Sequence, residues 1–526
     1  MKSPDEIGSG DSSLGIRHSF VLRHSSFVIP LLLGPLVLVG WLYLVDVGLP
    51  AEAHKLAGIL LATLIWWVTE PIPIAATGLL GVALCVILGA IPPTERGRDG
   101  LRLVFAPFAD PSVFFLMGGM FIGRAMTRHG LDRRIALALL CTRWAGRTPG
   151  TVLTTVALAV TLISMWISNA AAAAMMCPVA VGIVTVLAAA KGAPADFAGS
   201  PYASVLVLAV AFGASVGGIA TPIGTATNVV AIGIFRRPEY LGHGVDFLAW
   251  CAVGVPMMVL IFVGMCVWLR WLAPAKGLDM PALREYLRSE YERLGSWRRG
   301  EVNTLIVFLA AIAMWVAPGV LALAGSPEAQ RTFNRCFPEE ITAVLAVIAL
   351  FLLPVDRDRG RFTLEAEDWQ KIDWGTLLLF GAALALGGLM FRTGLADHVG
   401  TAAFDRLGTH NPGTITGLAV VAAILLSEFT SNTATASALL PVVYSLCTKA
   451  GVDPVPPMLA TTFGASFGSA LPVSTPPNAI VYGTGLTPLR RMICAGLGLD
   501  VIAGIVVWAV LRLAFEILHW APLEQG

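Results

Sequence analysis

From Thr148 to Ala190 the chain carries no acidic or basic residue. As one straight helix this run would be roughly 65 Å long at about 1.5 Å per residue, about twice the ~30 Å hydrocarbon core of a bilayer. Ser200–Phe235 and Val455–Leu489 are equally free of charge, and Gly, Pro, Ser or Asn interrupts all three runs. Segments of this kind belong in lipid and must turn or break there. Thr148–Ala190 therefore reads as a helical hairpin, as does Asn411–Thr448, broken near Glu428. Ser200–Phe235 and Val455–Leu489 read as broken helices. The whole chain is 56% hydrophobic and only 13% charged, about half the charge of a soluble domain. Its net charge of +1 offers no global field for nucleic acid, so none is expected as a partner.

Shorter charge-free runs mark conventional spans. Phe27–Val45, Phe247–Leu269, Val302–Ser326 and Met492–Leu511 each suffice to cross the membrane as a helix. Leu56–Thr69 and Ile72–Ile91 give two more, split by Glu70-Pro71. Pro111–Gly123, Ile341–Val355 and Trp374–Phe391 are short spans flanked by snorkelling charges. Six arginines against a single acid, Asp132, lie between Arg124 and Arg147. Arg357, Arg359, Arg361 and Lys371 form a second basic loop, and Arg490-Arg491 a third. With hairpins that enter and leave on one side, about eleven spans place every basic loop in the cytoplasm. The N-terminus is then cytoplasmic and the C-terminus external, in a multi-pass protein of the inner (plasma) membrane.

The expected organisation follows. Residues 1–26, polar and without a signal-peptide pattern, form a cytoplasmic tail. Residues 27–275 hold the first scaffold spans and the first hairpin and broken helix. Residues 276–301, rich in both charge signs, form a cytoplasmic amphipathic linker, and residues 302–526 hold the second set. The fold class is an all-α polytopic membrane protein. The eight cysteines include no CxxC pair and lie mostly in apolar segments, as small buried residues do rather than a disulfide framework.

The two halves repeat each other. Ser168-Asn169-Ala170 precedes Pro178, and Ser431-Asn432-Thr433 precedes Pro441, at the same spacing. Each hairpin is followed by a broken helix that opens alike: Phe212-Gly213-Ala214-Ser215-Val216-Gly217 leading to Asn228, and Phe463-Gly464-Ala465-Ser466-Phe467-Gly468 leading to Asn478. The two Phe-to-Asn gaps differ by one residue. The repeats cross the membrane in opposite senses, an arrangement that places a binding site near the midplane at the repeat interface.

A helix broken in lipid leaves carbonyls and N–H groups that only protein, water or a ligand can satisfy. Freed carbonyls are hard oxygen ligands suited to sodium, and freed N–H groups at half-helix starts attract anions. Asn offers an oxygen to a cation and an amide to an anion, and Ser and Thr hydroxyls serve either. A Ser-Asn tip facing Gly224-Thr225 or Thr475-Pro476-Pro477-Asn478 is therefore a candidate joint cation–anion site. No Lys or Arg lies in the tips, so dipoles, hydroxyls and bound sodium would hold the anion. Glu70 reads as an interface residue. Glu428, at membrane depth, is either functional or a cap for a helix start. Trp66, Trp67, Trp166 and Trp374 read as packing or interface aromatics, and His129 and His410 as loop residues.

The runs that carry these features resemble the divalent anion:sodium symporter family, also called solute carrier family 13. They are Trp66-Trp67-Val68-Thr69-Glu70-Pro71-Ile72-Pro73, Ser164-Met165-Trp166-Ile167-Ser168-Asn169, Leu379-Phe380-Gly381, Glu428-Phe429-Thr430-Ser431-Asn432-Thr433-Ala434-Thr435 and Thr475-Pro476-Pro477-Asn478-Ala479-Ile480-Val481. The resemblance implies a homodimer in which a transport domain moves against a scaffold as an elevator. It implies two sodium sites, the first from Ser164, Ser168, Asn169 and Gly224, the second from Ser427, Thr430, Asn432 and Ser474. The anion would touch Asn169, Thr225, Ser431, Asn432, Thr433, Thr475 and Pro476. Two departures bear on the substrate. Ala170 stands where relatives often have Thr, and Thr225-Ala226-Thr227 replaces the usual Pro-Pro before Asn228. Thr225 or Thr227 is the candidate replacement hydroxyl.

The expected function is sodium-coupled symport of a small divalent anion: succinate, malate or fumarate first, with citrate or sulfate as alternatives. A sodium-independent anion exchanger is the nearest competitor, and a channel would not explain twin hairpins. An enzyme would need an acid–base or metal constellation at one depth, and a primary pump a GxxxxGK[ST] loop. The sequence offers neither, and no organic cofactor is expected.

Overall fold

The computed structural model describes residues 13–189, 197–274 and 280–517. Residues 1–12 of the expected tail, residue 190 at the end of the first hairpin, the start of the linker and residues 518–526 lie outside these. The chain is an all-α multi-pass membrane protein. Among the described residues, eight helical stretches are long and apolar enough to span a bilayer. They become nine when Leu395–Leu407 and Pro412–Ser427, bent by 111°, are taken together. Four shorter apolar helices join them.

The first half begins with α1 (Ser13–Leu44), which packs on α2 (Ala51–Thr69), and α2 on α3 (Ile74–Ile87). Glu70 ends α2 in the left-handed region, φ 43°, its N–H bonded to the Trp66 carbonyl at 2.9 Å. Its role is therefore a helix terminator at the Pro71-Ile72-Pro73 turn. The short α4 (Arg98–Phe105) leads to α5 (Pro111–His129) and α6 (Leu131–Leu140). His129 closes α5 rather than standing in a loop, and its Nε2 lies 2.8 Å from the Thr363 carbonyl.

The first hairpin is α7 (Pro149–Ser164) and α8 (Asn169–Ala189), both packed on α9 (Pro201–Gly218). After a break comes α10 (Ala226–Phe235), then α11 (Phe247–Leu272). The linker contains α12 (Met280–Glu292), whose Leu283 and Leu287 are buried against α6 and α8. The polar face of α12 carries Glu290, paired with Arg133 at 2.8 Å.

The second half opens with α13 (Arg299–Leu323), the polar α14 (Pro327–Cys336) and α15 (Glu339–Leu352). Strands β1 (Pro354–Asp356) and β2 (Arg361–Phe362) form a small antiparallel pair. Next come α16 (Trp374–Arg392) and α17 (Leu395–Leu407). The second hairpin is α18 (Pro412–Ser427) and α19 (Asn432–Ala450), packed on α20 (Val455–Gly464). After its break, α21 (Pro476–Tyr482) leads to α22 (Leu489–Leu511).

The repeat extends to the starting signals. α7 starts from Thr148-Pro149-Gly150-Thr151 and α18 from Asn411-Pro412-Gly413-Thr414. In each, the first side chain caps the N–H of the residue three ahead, at 3.2 and 3.1 Å, and Pro fills the first helical position. Gly213 and Gly464 let the broken helices approach their hairpins. A Cβ at either would lie 2.9 Å from a carbonyl oxygen, that of Ala157 and of Val420 respectively.

The distal half-helices are exchanged between repeats. α10 packs on α19 and α20 of the second repeat, while α21 packs on α8 and α9 of the first. This reciprocal exchange brings both tips to one place. The large core holds both hairpins and both broken helices. A smaller core joins α2, α3, α16 and α17. Within the large core α9 is 94% buried over its span, whereas α13 is 28% buried, so α9 is central and α13 lies at the periphery.

Candidate functional site

A cavity of about 420 Å³ lies where the tips meet. Ser168, Asn169, Gly224, Thr225, Ser431, Asn432, Thr433, Ser474, Thr475 and Pro476 line it. Ser164, Ser427 and Thr430 are buried behind this lining. All the residues named from sequence thus gather in one region, in two shells of depth.

Four helices start at the cavity: α8 at Asn169, α10 at Ala226, α19 at Asn432 and α21 at Pro476. Each start presents unpaired N–H groups and the positive end of its dipole. Three hydroxyls here already accept a backbone N–H: Ser168 from Ala171 at 3.3 Å, Ser431 from Ala434 at 3.2 Å and Thr475 from Asn478 at 3.3 Å. A hydroxyl that accepts in this way keeps its own proton to donate. The cavity therefore gathers hydroxyl donors and the positive ends of helix dipoles.

Behind each tip the two repeats build the same polar pocket. Ser164 Oγ lies 2.8 Å from both Asn169 Oδ1 and the Ala214 carbonyl. Ser427 Oγ lies 2.9 Å from Asn432 Oδ1 and 2.7 Å from the Ala465 carbonyl. One hydroxyl proton cannot serve two acceptors. Turning either amide lets its NH₂ donate to the serine while the serine donates to the carbonyl. The amide oxygen is then released from the serine and free to serve as a ligand. Gly218 makes room for this, because a Cβ there would collide with the Asn169 amide. Thr430 Oγ1 is held by Thr435 Oγ1 at 2.5 Å, which leaves its carbonyl as the candidate ligand.

Asn228 and Asn478, noted in the repeat but given no role from sequence, clamp the unwound segments. Asn228 Nδ2 donates to the Gly218 and Thr221 carbonyls at 2.9 and 2.8 Å. Asn478 Nδ2 donates to the Gly468 and Leu471 carbonyls, both at 3.0 Å. The pairs Ala214/Ala465 and Gly218/Gly468 locate the one-residue difference between repeats. It is absorbed between these carbonyls, where α9 continues to Gly218 while α20 stops at Gly464.

Of the replacement hydroxyls, Thr225 is partly exposed at the wall and Thr227 is fully buried, their Oγ1 atoms 3.5 Å apart. Ala170 also lines the cavity. Glu428 reaches back from the second tip to accept N–H from Ala470 at 3.0 Å and Leu471 at 3.1 Å. The expected cap of a helix start is not made, because both N–H groups belong to the unwound stretch between α20 and α21.

Sequence reasoning missed the opposite wall. Gly119, Gly123 and Arg124 of α5, with Lys371, Asp373 and Thr376, complete the cavity. Arg124 bonds Asp368 at 2.8 Å, and Arg128 bonds Asp368 and, at 2.6 Å, Glu365. That network holds the Glu365 carboxyl below its usual range, chiefly through the Arg128 hydrogen bond, and ties the segment before α16 to α5. The one signal in the sequence was the small-residue pattern Gly118-Gly119…Gly123, which the fold brings to the same cavity as Leu379.

Comparison with known proteins gives four results. A family model described as the sodium:sulfate symporter transmembrane region matches residues 24–524. A sodium-dependent dicarboxylate transporter, SdcS, of Staphylococcus saprophyticus subsp. saprophyticus is 30% identical over 484 residues, 91% of this chain and 90% of that protein. SdcS of Staphylococcus aureus (strain bovine RF122) is 28% identical over 502 residues, covering 95% and 93%. The crystal structure of the Alcanivorax borkumensis YdaH transporter superposes with a TM-score of 0.55 over 90% of this chain and all of its own, at 16% identity. That likeness speaks for the fold.

Proposed function

This chain belongs to the sodium:sulfate symporter family, and from that premise we propose that it imports a small dicarboxylate driven by an inward sodium gradient. The observation that carries the reading is the meeting of four helix starts and two Ser-Asn tips in one cavity. Each Asn would join a cation to the anion: Oδ1 of Asn169 or Asn432 binds sodium while its NH₂ and the neighbouring hydroxyls bind a carboxylate. The first sodium would use Ser164, Ser168, Asn169 and Gly224, and the second Ser427, Thr430, Asn432 and Ser474. The anion would lie against Asn169, Thr225, Ser431, Asn432, Thr433, Thr475 and Pro476.

A C4-dicarboxylate is the substrate we favour; that the two SdcS relatives are sodium-dependent dicarboxylate transporters supports the dicarboxylate class. Two sodium ions bring two positive charges to a dianion, so neither charge moves through lipid uncompensated. The cavity wall carries Arg124 and Lys371, residues of the basic loops that the charge bias assigns to the cytoplasm. In this reading the conformation is open inward, the N-terminus is cytoplasmic and the C-terminus external. The hairpins and broken helices form the part that moves, in each protomer of a homodimer.

Uptake of radiolabelled succinate into proteoliposomes, with sodium or potassium outside, tests the proposal. Sodium-dependent uptake supports it. Uptake equal in both salts, stimulated by internal anion, means exchange instead. Uptake of sulfate or citrate alone means the substrate class is wrong.

A further inference from the structure

The fold divides the six arginines between Arg124 and Arg147. The first four are paired with carboxylates: Arg124 and Arg128 with Asp368, Arg133 with Glu290 and Arg134 with Glu301. Arg143 and Arg147, in the loop between α6 and α7, are exposed. Two more arginines come to this loop from elsewhere in the chain. Arg270, near the end of α11, donates to the Gly150 carbonyl at 2.9 Å and to Thr154 Oγ1 at 2.6 Å. Arg284, on α12, donates to the Gly146 carbonyl at 2.8 Å. Gly146 makes room for it, because a Cβ there would lie 2.7 Å from Arg284 Cγ. Arg147 Nε bonds the Arg143 carbonyl at 3.1 Å.

No ion pair among the described residues includes Arg143, Arg147, Arg270 or Arg284. The acids of α12 do not serve them. Glu290 is held by Arg133 and Arg293, Glu292 is held by Arg288, and Glu285 is exposed and in no ion pair. Carbonyls orient a guanidinium without neutralising it, and arginine stays charged at every physiological pH. The start of α7 adds the positive end of a helix dipole to the same loop. The result is a positive surface with room for an anion.

The neighbouring surface says what carries that anion. Val259, Val263, Val267 and Trp271 of α11 are exposed at four-residue spacing. They form one apolar stripe, about 18 Å long, which ends beside Arg270. Trp271 stacks on Trp268 at 5.3 Å, and Trp144 stands exposed next to Arg143. Tryptophans at the end of an apolar stripe mark the depth of lipid headgroups, and arginine forks match phosphate oxygens.

We propose that Arg143, Arg147, Arg270 and Arg284 bind the phosphate of an anionic phospholipid, whose acyl chain lies along the exposed stripe of α11. The inference adds a lipid partner to the function proposed above and takes from that reading the placing of this loop at the cytoplasmic leaflet. The bound phosphate joins the loop that leads into the first hairpin to α11 and to the linker helix α12.

The test is native mass spectrometry of the full chain, stripped of lipid in detergent. It is titrated with phosphatidylglycerol, with phosphatidylcholine of the same acyl chains, and with glycerol phosphate. Phosphatidylglycerol should bind tens of times more tightly than phosphatidylcholine. At about fivefold per arginine, Arg143→Gln/Arg147→Gln should erase most of that preference. Should this variant not assemble, Arg143→Gln by itself should cost about fivefold. Arg331→Gln/Arg335→Gln removes the same charge from the exposed face of α14 and should keep the preference. Equal affinity for the two lipids, an unaltered preference in the loop variants, or an equal loss in the α14 variant overturns the proposal. Glycerol phosphate bound as tightly as phosphatidylglycerol also overturns it, in favour of a site for free phosphate. None of these readouts uses transport, so sodium-driven succinate uptake by the same protein decides the transporter reading separately.

Discussion

Replacing Asn169 or Asn432 by Ala should weaken sodium and anion together, by similar factors. Either change removes one amide oxygen from a cation and one NH₂ from an anion. A hydrogen bond to a charged group contributes about 1.5–3 kcal/mol, so at about 1.4 kcal/mol per decade each affinity should fall roughly ten- to a hundredfold. The fold should tolerate the change. Ser164 keeps the Ala214 carbonyl at 2.8 Å and Ser427 keeps the Ala465 carbonyl at 2.7 Å, so neither buried hydroxyl is orphaned. The assay is succinate binding to purified protein over a sodium titration, with the half-saturating sodium read at several succinate concentrations. Linkage requires the two ligands to strengthen each other by the same factor. Normal anion affinity at low sodium in either variant, or a shift in one ligand alone, would refute the shared role of these amides.

Gly218→Ala should raise half-saturating sodium at the first site while leaving the second unchanged, because its Cβ would displace the Asn169 amide. A sodium titration of Gly218→Ala in proteoliposomes checks this, and an unaltered curve rules it out. Lys371→Gln should slow succinate efflux several-fold more at low than at high ionic strength, since an exposed charge at the mouth acts through a screened field. Equal effects at both salt levels would argue against steering. Glu301→Ala should destabilise the protein by about 3 kcal/mol, visible as a lower melting temperature in detergent with transport unchanged per folded molecule. It strands Arg134 in a buried pair, 3.1 Å apart and each side chain 4% exposed, with the Trp297 ring and the carbonyls of Leu294, Gly295 and Ser296, but no carboxylate, left to it.

Much of the molecule was legible in one dimension. Charge-free runs longer than a bilayer dictated helices that turn or break in lipid, because backbone groups there have no water to fall back on. The Ser-Asn tips, the Phe-Gly-Ala-Ser openings and the one-residue offset between them marked the repeat and its polar centres. These are local signals, since capping and breaking act over three or four residues. Tertiary packing decided what the tips face. α10 and α21 change places between repeats, so four helix starts converge that lie far apart in sequence. The wall from Arg124 to Lys371 is joined across the chain by the pairing of Arg124 and Arg128 with Asp368. Glu428 was seen as a carboxylate at membrane depth, but its target could not be read, because the Ala470 and Leu471 N–H groups reach it only through the packing of α20 on α18. Periodicity and spacing fix where a chain must bend. Which bends meet is set by which apolar faces bury one another across hundreds of residues.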